Sequence, residues 1–194
     1  MPHSPPTCGV CPAFADNLCH ILSQASRESV PPSAVTDHTA QARRTIWREG
    51  DAVDRVPVIC QGWAATSMSL SDGRRQLLSF LLPGDLVSAG LIGHTAAPCT
   101  VEAVTDVRYR SFSRATINQA LTRQPDLLAV MARMLAEETA RADRLAIDLG
   151  RRGAAARIAN LILALTERLR KRGMMAGQTM DFPLRQHHIA DAAG

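Results

Sequence analysis

The sequence predicts an α+β protein, with a small β-roll or barrel over residues 25–113 and helices from 114 onward. Three observations carry this. Short strand-like runs between Arg43 and Phe112 are punctuated by Gly and Asp turns. Within them, the segment Gly62 to Val87 reads as a hairpin followed by a turn. After Ser113 the apolar residues recur at helical spacing.

The 194 residues are 46% apolar, enough for a buried core, and the net charge of +4 permits nucleic-acid binding without requiring it. No uninterrupted apolar run is long enough to span a bilayer, and the N-terminus lacks the order of a secretory signal. The cytoplasm is the expected location. Five cysteines, three of them near the N-terminus, suggest metal or redox chemistry rather than a disulfide framework.

Residues 1–24 form a cysteine-rich segment and Ala25 to Gln41 a Ser/Pro/Thr-rich connector. Strands are expected over Arg43 to Arg48, Val56 to Cys60, Val101 to Val104 and Val107 to Phe112. Two more flank Asp72-Gly73, a dipeptide that accepts the positive φ of a tight hairpin; the second stops at Pro83-Gly84. Ser113 is a good N-cap for a short helix. Pro125 suits the first turn of a longer one, ending at Gly150.

In that longer helix Leu128, Met131, Leu135, Glu138, Ala142, Leu145 and Leu149 step by three and four. An amphipathic helix against its own domain and a coiled-coil dimer both fit this spacing, and Glu138 is awkward for a dry seam. A third helix, Gly153 to Arg172, buries Ile158, Leu161, Ile162, Leu165 and Leu169. Its basic end (Arg168, Arg170, Lys171, Arg172) reads as a solvated terminus. Ile189, Ala190 and Ala193 supply small apolar packing to a last helix, and Gly194 suits a tight turn between helices.

Cys8, Cys11 and Cys19 have the spacing C-x2-C-x7-C, at which thiolates can converge on a soft metal or an iron–sulfur cluster. Zinc held with His20, or idle thiols with Cys60 buried as a small hydrophobe, fit the same residues. There is no phosphate-cradling Gly loop, nucleophile elbow or paired carboxylates, so no enzyme is expected.

The wording of Asp72-Gly73-Arg74-Arg75-Gln76 leading into Leu82-Pro83-Gly84-Asp85-Leu86-Val87 resembles the sensor domain of the cyclic-AMP receptor protein/fumarate–nitrate regulator (CRP/FNR) superfamily of bacterial transcription factors. The segment from Ile189 to Gly194 is similar to the first helix and turn of that family's winged helix-turn-helix. The resemblance implies a cyclic-nucleotide-binding-like β-roll (25–113), a short helix plus dimerisation helix (114–150), and an incomplete winged helix-turn-helix (151–194). It favours the homodimer, with Leu128, Met131, Leu135, Ala142, Leu145 and Leu149 at the interface, and implies DNA and RNA polymerase as partners.

Base edges are read by a second helix. Arg185, Gln186, His187 and His188 are therefore expected to make backbone contacts at best, and this chain to bind DNA poorly. Three N-terminal cysteines resemble the oxygen-sensing branch, which holds a [4Fe-4S] cluster. Cys99 is the expected fourth ligand here, because Tyr109 falls at the family's fourth-cysteine position. Cyclic AMP is an unlikely ligand: Gly84 to Thr100 contains Asp85 and His94 but no Arg or Lys to meet a phosphate. The resulting expectation is a transcriptional regulator coupling oxygen or redox state to dimerisation and DNA binding. The alternative is a ligand-binding or dimerisation module without DNA activity.

Overall fold

A computed structural model describes residues 35–123, 125–175 and 182–194. Its β half consists of β1 (Val35–Ala40), β2 (Thr45–Trp47), β3 (Arg55–Gln61), β4 (Ala64–Ser69), β5 (Arg75–Leu81), β6 (Thr100–Ala103) and β7 (Val107–Ser113). They form two antiparallel sheets, β1-β7-β3 and β2-β6-β4-β5. Val56, Val58 and Phe112 from the first sheet meet Ala64, Leu81, Val101 and Ala103 from the second in one core. Strand β1 corrects the reading of Ala25 to Gln41 as a connector. It pairs along its length with β7, from Val35 opposite Phe112 to Ala40 opposite Val107. It is an edge strand that exposes Thr36, Asp37 and Thr39, so its apolar signal is weak.

The hairpin between β4 and β5 is looser than a two-residue turn. Gly73 N–H donates to Leu70 O at 3.0 Å and only Gly73 has a positive φ, of 83°. Asp72 keeps a negative φ, and its carboxylate accepts from the Arg74 N–H at 3.0 Å. The pattern is an ordinary turn followed by a left-handed glycine. Further along, the register skips Leu78: Thr66 faces Ser79 while Ser67 faces Leu77. This bulge turns Leu77 onto the same face as Phe80 and Leu82. That face looks away from the roll interior and makes a second core.

Four helices follow: α1 (Arg114–Arg123), α2 (Pro125–Arg151), α3 (Ala154–Lys171) and α4 (Gln186–Ala193). Ser113 caps α1, its Oγ accepting from the Thr116 N–H at 3.1 Å. Helix α2 continues to Arg151, past the expected stop at Gly150. Leu127 and Met131 on α2 seal the roll interior with Ile117 and Ala120 of α1. Leu165 and Leu169 of α3 close the second core over Trp63, Leu77, Phe80 and Leu82. Phe182 meets Trp63 edge-on there, with ring centroids 5.8 Å apart. Sheet β2-β6-β4-β5 is thus covered on both faces, by the roll interior and by the C-terminal helices. Among the described residues, no helix is long and apolar enough to cross a membrane.

Candidate functional site

The turn Leu82-Pro83-Gly84-Asp85 has the chemistry of a type II turn. Pro83 supplies the fixed φ, Gly84 sits at φ 93°, and the Asp85 N–H donates to Leu82 O at 2.9 Å. This geometry brings the Asp85 carboxylate back over the turn. Its Oδ2 accepts from the Leu82 N–H at 2.7 Å and from Arg168 Nη2 at 2.6 Å. Its Oδ1 accepts from Arg172 Nη2 at 2.5 Å, and Arg172 Nη1 donates to Pro83 O at 2.9 Å. Asp85 is only 7% exposed. Burial alone would raise its pKa, but the Arg168 and Arg172 guanidiniums and the Leu82 N–H outweigh it and hold the carboxyl below its ordinary range. The basic end of α3 is therefore not a solvated terminus: two of its four cations are bound to the roll. The signals for this in the sequence are a lone acid inside Leu81 to Val87 and two arginines four residues apart.

A second junction holds α4. Arg75 Nε donates to Asp191 Oδ2 at 2.7 Å, and its Nη1 to Glu102 Oε2 at 2.9 Å. Gln76 Nε2 donates to Asp191 O at 3.0 Å. The Arg75-Gln76 pair after the hairpin is thus the dock for the last helix. His188 is 5% exposed and accepts the Arg185 N–H on Nδ1 at 3.0 Å. Desolvation, then the neighbouring His187 and Arg75, lower its pKa. His188 is spent on packing and capping, which removes it from the expected backbone-contact set. Arg185, Gln186 and His187 are exposed. Ala193 is buried at 7% as α4 lies on β5.

The third junction joins the roll to α2. Glu138 Oε1 accepts from Ser88 Oγ at 3.1 Å, and Ser88 Oγ accepts from Gly90 N at 3.1 Å, where a 3-10 turn (Ala89–Ile92) begins. Glu138 thus serves its own chain, which accounts for an acid on an apolar stripe. The stripe itself divides. Met131 is 7% exposed and belongs to the roll core, a correction to its expected place in a dimer seam. Leu128 and Leu135 are 63% and 45% exposed, Ala142 is exposed, and Leu145 and Leu149 are half-buried.

Cys8, Cys11, Cys19 and His20 lie outside the described residues. Cys99 is buried, and burial, with the nearby Glu138 and Glu49 carboxylates, pushes its thiol up to about 11. A cluster ligand is a thiolate, so Cys99 would lose its proton on binding a metal there. Tyr109 stacks on His38 at 4.7 Å between ring centroids, with His38 Nε2 2.9 Å from Ser111 Oγ. Among the described residues, no three His, Cys, Asp or Glu side chains converge as a metal site. Besides Arg168 and Arg172 on Asp85, the Gly84 to Thr100 segment receives the guanidinium of Arg114. Arg114 donates to Val53 O and His94 O, both at 2.6 Å, and to Leu91 O at 3.2 Å. Those donors are engaged by backbone carbonyls.

A β-roll whose turns grip both a long helix and a pair of C-terminal helices is the architecture of a sensor joined to an effector. Residues 38–124 match the cyclic nucleotide-binding domain family model. Over 99% of its length the chain is 29% identical to the transcriptional activator protein FnrL of Cereibacter sphaeroides, covering 79% of that protein. It is 30% identical to the nitrogen fixation regulation protein FixK of Rhizobium meliloti over 80% of the chain and 67% of FixK. The solved structure of FixK2 from Bradyrhizobium japonicum superposes with a TM-score of 0.72 at 26% identity, covering 81% of this chain and 76% of that one. The chain belongs to the CRP/FNR superfamily of transcriptional regulators.

Proposed function

We propose that this chain is a homodimeric, DNA-binding transcriptional regulator in which the state of the roll is passed through α2 to the C-terminal helices. The observation that carries the reading is the set of three junctions. Asp85 grips α3, Arg75 and Gln76 grip α4, and Ser88 grips Glu138 of α2. A change in the roll therefore reaches each helical element through a named contact. Leu128, Leu135 and Ala142 form the stripe offered to a second copy, and Arg185, Gln186 and His187 meet the DNA backbone. RNA polymerase is the further partner of such a regulator.

Sedimentation with and without a labelled duplex tests this. A dimer is expected, together with weak duplex binding that weakens further with salt and falls in Arg185→Ala. A monomer with no salt-dependent binding would overturn it.

Oxygen or redox coupling is part of the proposal and rests on Cys8, Cys11 and Cys19 with Cys99 as the fourth ligand. Such a centre would give the N-terminal segment redox chemistry. Purification without oxygen tests it: visible charge-transfer absorption, lost in Cys11→Ser and in Cys99→Ser, is the expected pattern. A colourless protein binding neither iron nor zinc would remove this part.

A further inference from the structure

A cleft of about 880 Å³ lies between β5, α3 and the side of α2 that carries Arg141, Arg144 and Leu145. That volume suits a small organic ligand. Its apolar lining includes Leu77, Phe80, Leu145, Leu161 and Leu165. The charges around it are unbalanced, with eight basic lining residues against four acidic ones.

Three of the acids are already engaged. Asp85 holds Arg168 and Arg172, Asp148 holds Arg152 and Asn160, and Glu167 holds Arg170 and Lys171. The fourth, Glu137, is exposed. None of the four pairs with Arg141, Arg144 or Arg157, and no other carboxylate among the described residues does. Arg157 goes further. Its Nε is buried and has no hydrogen-bond partner, the single such side-chain atom among the described residues. Folded proteins rarely leave a buried donor unmet, because an unpaired buried N–H is costly. An apolar lining with an unmet guanidinium N–H and unpaired arginines at its wall is complementary to one kind of molecule.

We propose that this cleft binds a small amphipathic anion, with a carboxylate, sulfonate or phosphate head met by Arg157 and Arg144 and an apolar body lying on Leu145, Leu161 and Leu165. Of the Gly84 to Thr100 segment, only Gly84 and Asp85 line the site. Its occupant touches α2 and α3 together, so binding would favour one placement of the C-terminal helices over others. The site does not depend on the chain's binding DNA.

The test uses the full chain and two dyes of the same aromatic skeleton: anilinonaphthalene sulfonate, and phenylnaphthylamine, which lacks the sulfonate. The sulfonate dye is expected to saturate at one per chain, at least about tenfold tighter than the uncharged dye, with decanoate displacing it. Arg144→Gln and Arg157→Gln should each weaken the sulfonate dye about tenfold and leave the uncharged dye unchanged, the scale of losing a charge-assisted hydrogen bond. Arg123→Gln, at the end of α1, should change neither. Arg144 is exposed, so its variant keeps the fold even if that of Arg157 does not. Equal affinity for the two dyes, unchanged sulfonate binding in Arg144→Gln, or an equal loss in Arg123→Gln would each overturn the proposal.

Discussion

The inward and outward sides of the helical half use the same residue types to opposite ends. Inward, Leu127 and Met131 of α2 are sealed in the roll core, and Arg168 and Arg172 of α3 close on a buried carboxylate. Outward, Leu128 and Leu135 stand in solvent one helical step away. Spacing by three and four describes both sides equally. What separates them is what the roll offers each: a greasy opening and a charged turn inward, nothing outward. Periodicity therefore locates a stripe, and the neighbouring element decides whether it is core or contact surface.

The largest effect should come from breaking the inward side. Asp85→Ala leaves two guanidiniums partly buried and uncompensated, and should cost about 3–5 kcal/mol in urea unfolding. Leu127→Ala, which opens a cavity, should cost about 2–5 kcal/mol. If Asp85→Ala unfolds at the same urea concentration as the parent, the charged turn does not hold α3. The outward side should behave in the reverse way. Leu135→Glu should shift sedimentation to the monomer while changing the stability of the monomer by no more than about 0.5 kcal/mol. Loss of the fold in that variant would make Leu135 a core residue.

Acidity should separate the inward contacts from one another. The folded pKa of His188 lies below its ordinary 6.5, so its contribution is present above that value and fades as pH falls through the lowered one. That of Asp85 lies below 3.8, so its contribution persists to lower pH before it too is lost. Exchange of α4 amides should therefore quicken at a higher pH than exchange at the end of α3, and His188→Gln should flatten the first step alone. The smallest effect concerns the two thiols of the roll, Cys60 and Cys99. Iodoacetamide should label Cys99 more slowly than Cys60 at mildly alkaline pH, because little of the Cys99 thiol ionises. Equal rates would mean that Cys99 is open to solvent.

Much of this was legible beforehand, for local reasons. The β4–β5 hairpin, the Pro83-Gly84 turn, the Ser113 cap and the α2 stripe are written in a few adjacent residues each. The features that escaped are products of distance. Strand β1 has polar outward positions and becomes a strand only through β7. Arg168 and Arg172 look like a solvated end until Asp85 arrives from more than eighty positions earlier. Glu138 looks misplaced until Ser88 meets it. Met131 and Leu128 are indistinguishable in spacing, and only the roll's position tells them apart.

The docking of α4 on Arg75 and Gln76 constrains how such a chain can change over time. Arg75 is shared between Asp191 and Glu102, and Gln76 reads backbone carbonyls whose position depends on the helix pitch. A new C-terminal half spliced onto this roll by recombination would have to bring its own acid to position 191 and its own arginines to 168 and 172. The roll and its C-terminal helices are in this sense a matched pair, joined by side chains that each half must supply to the other.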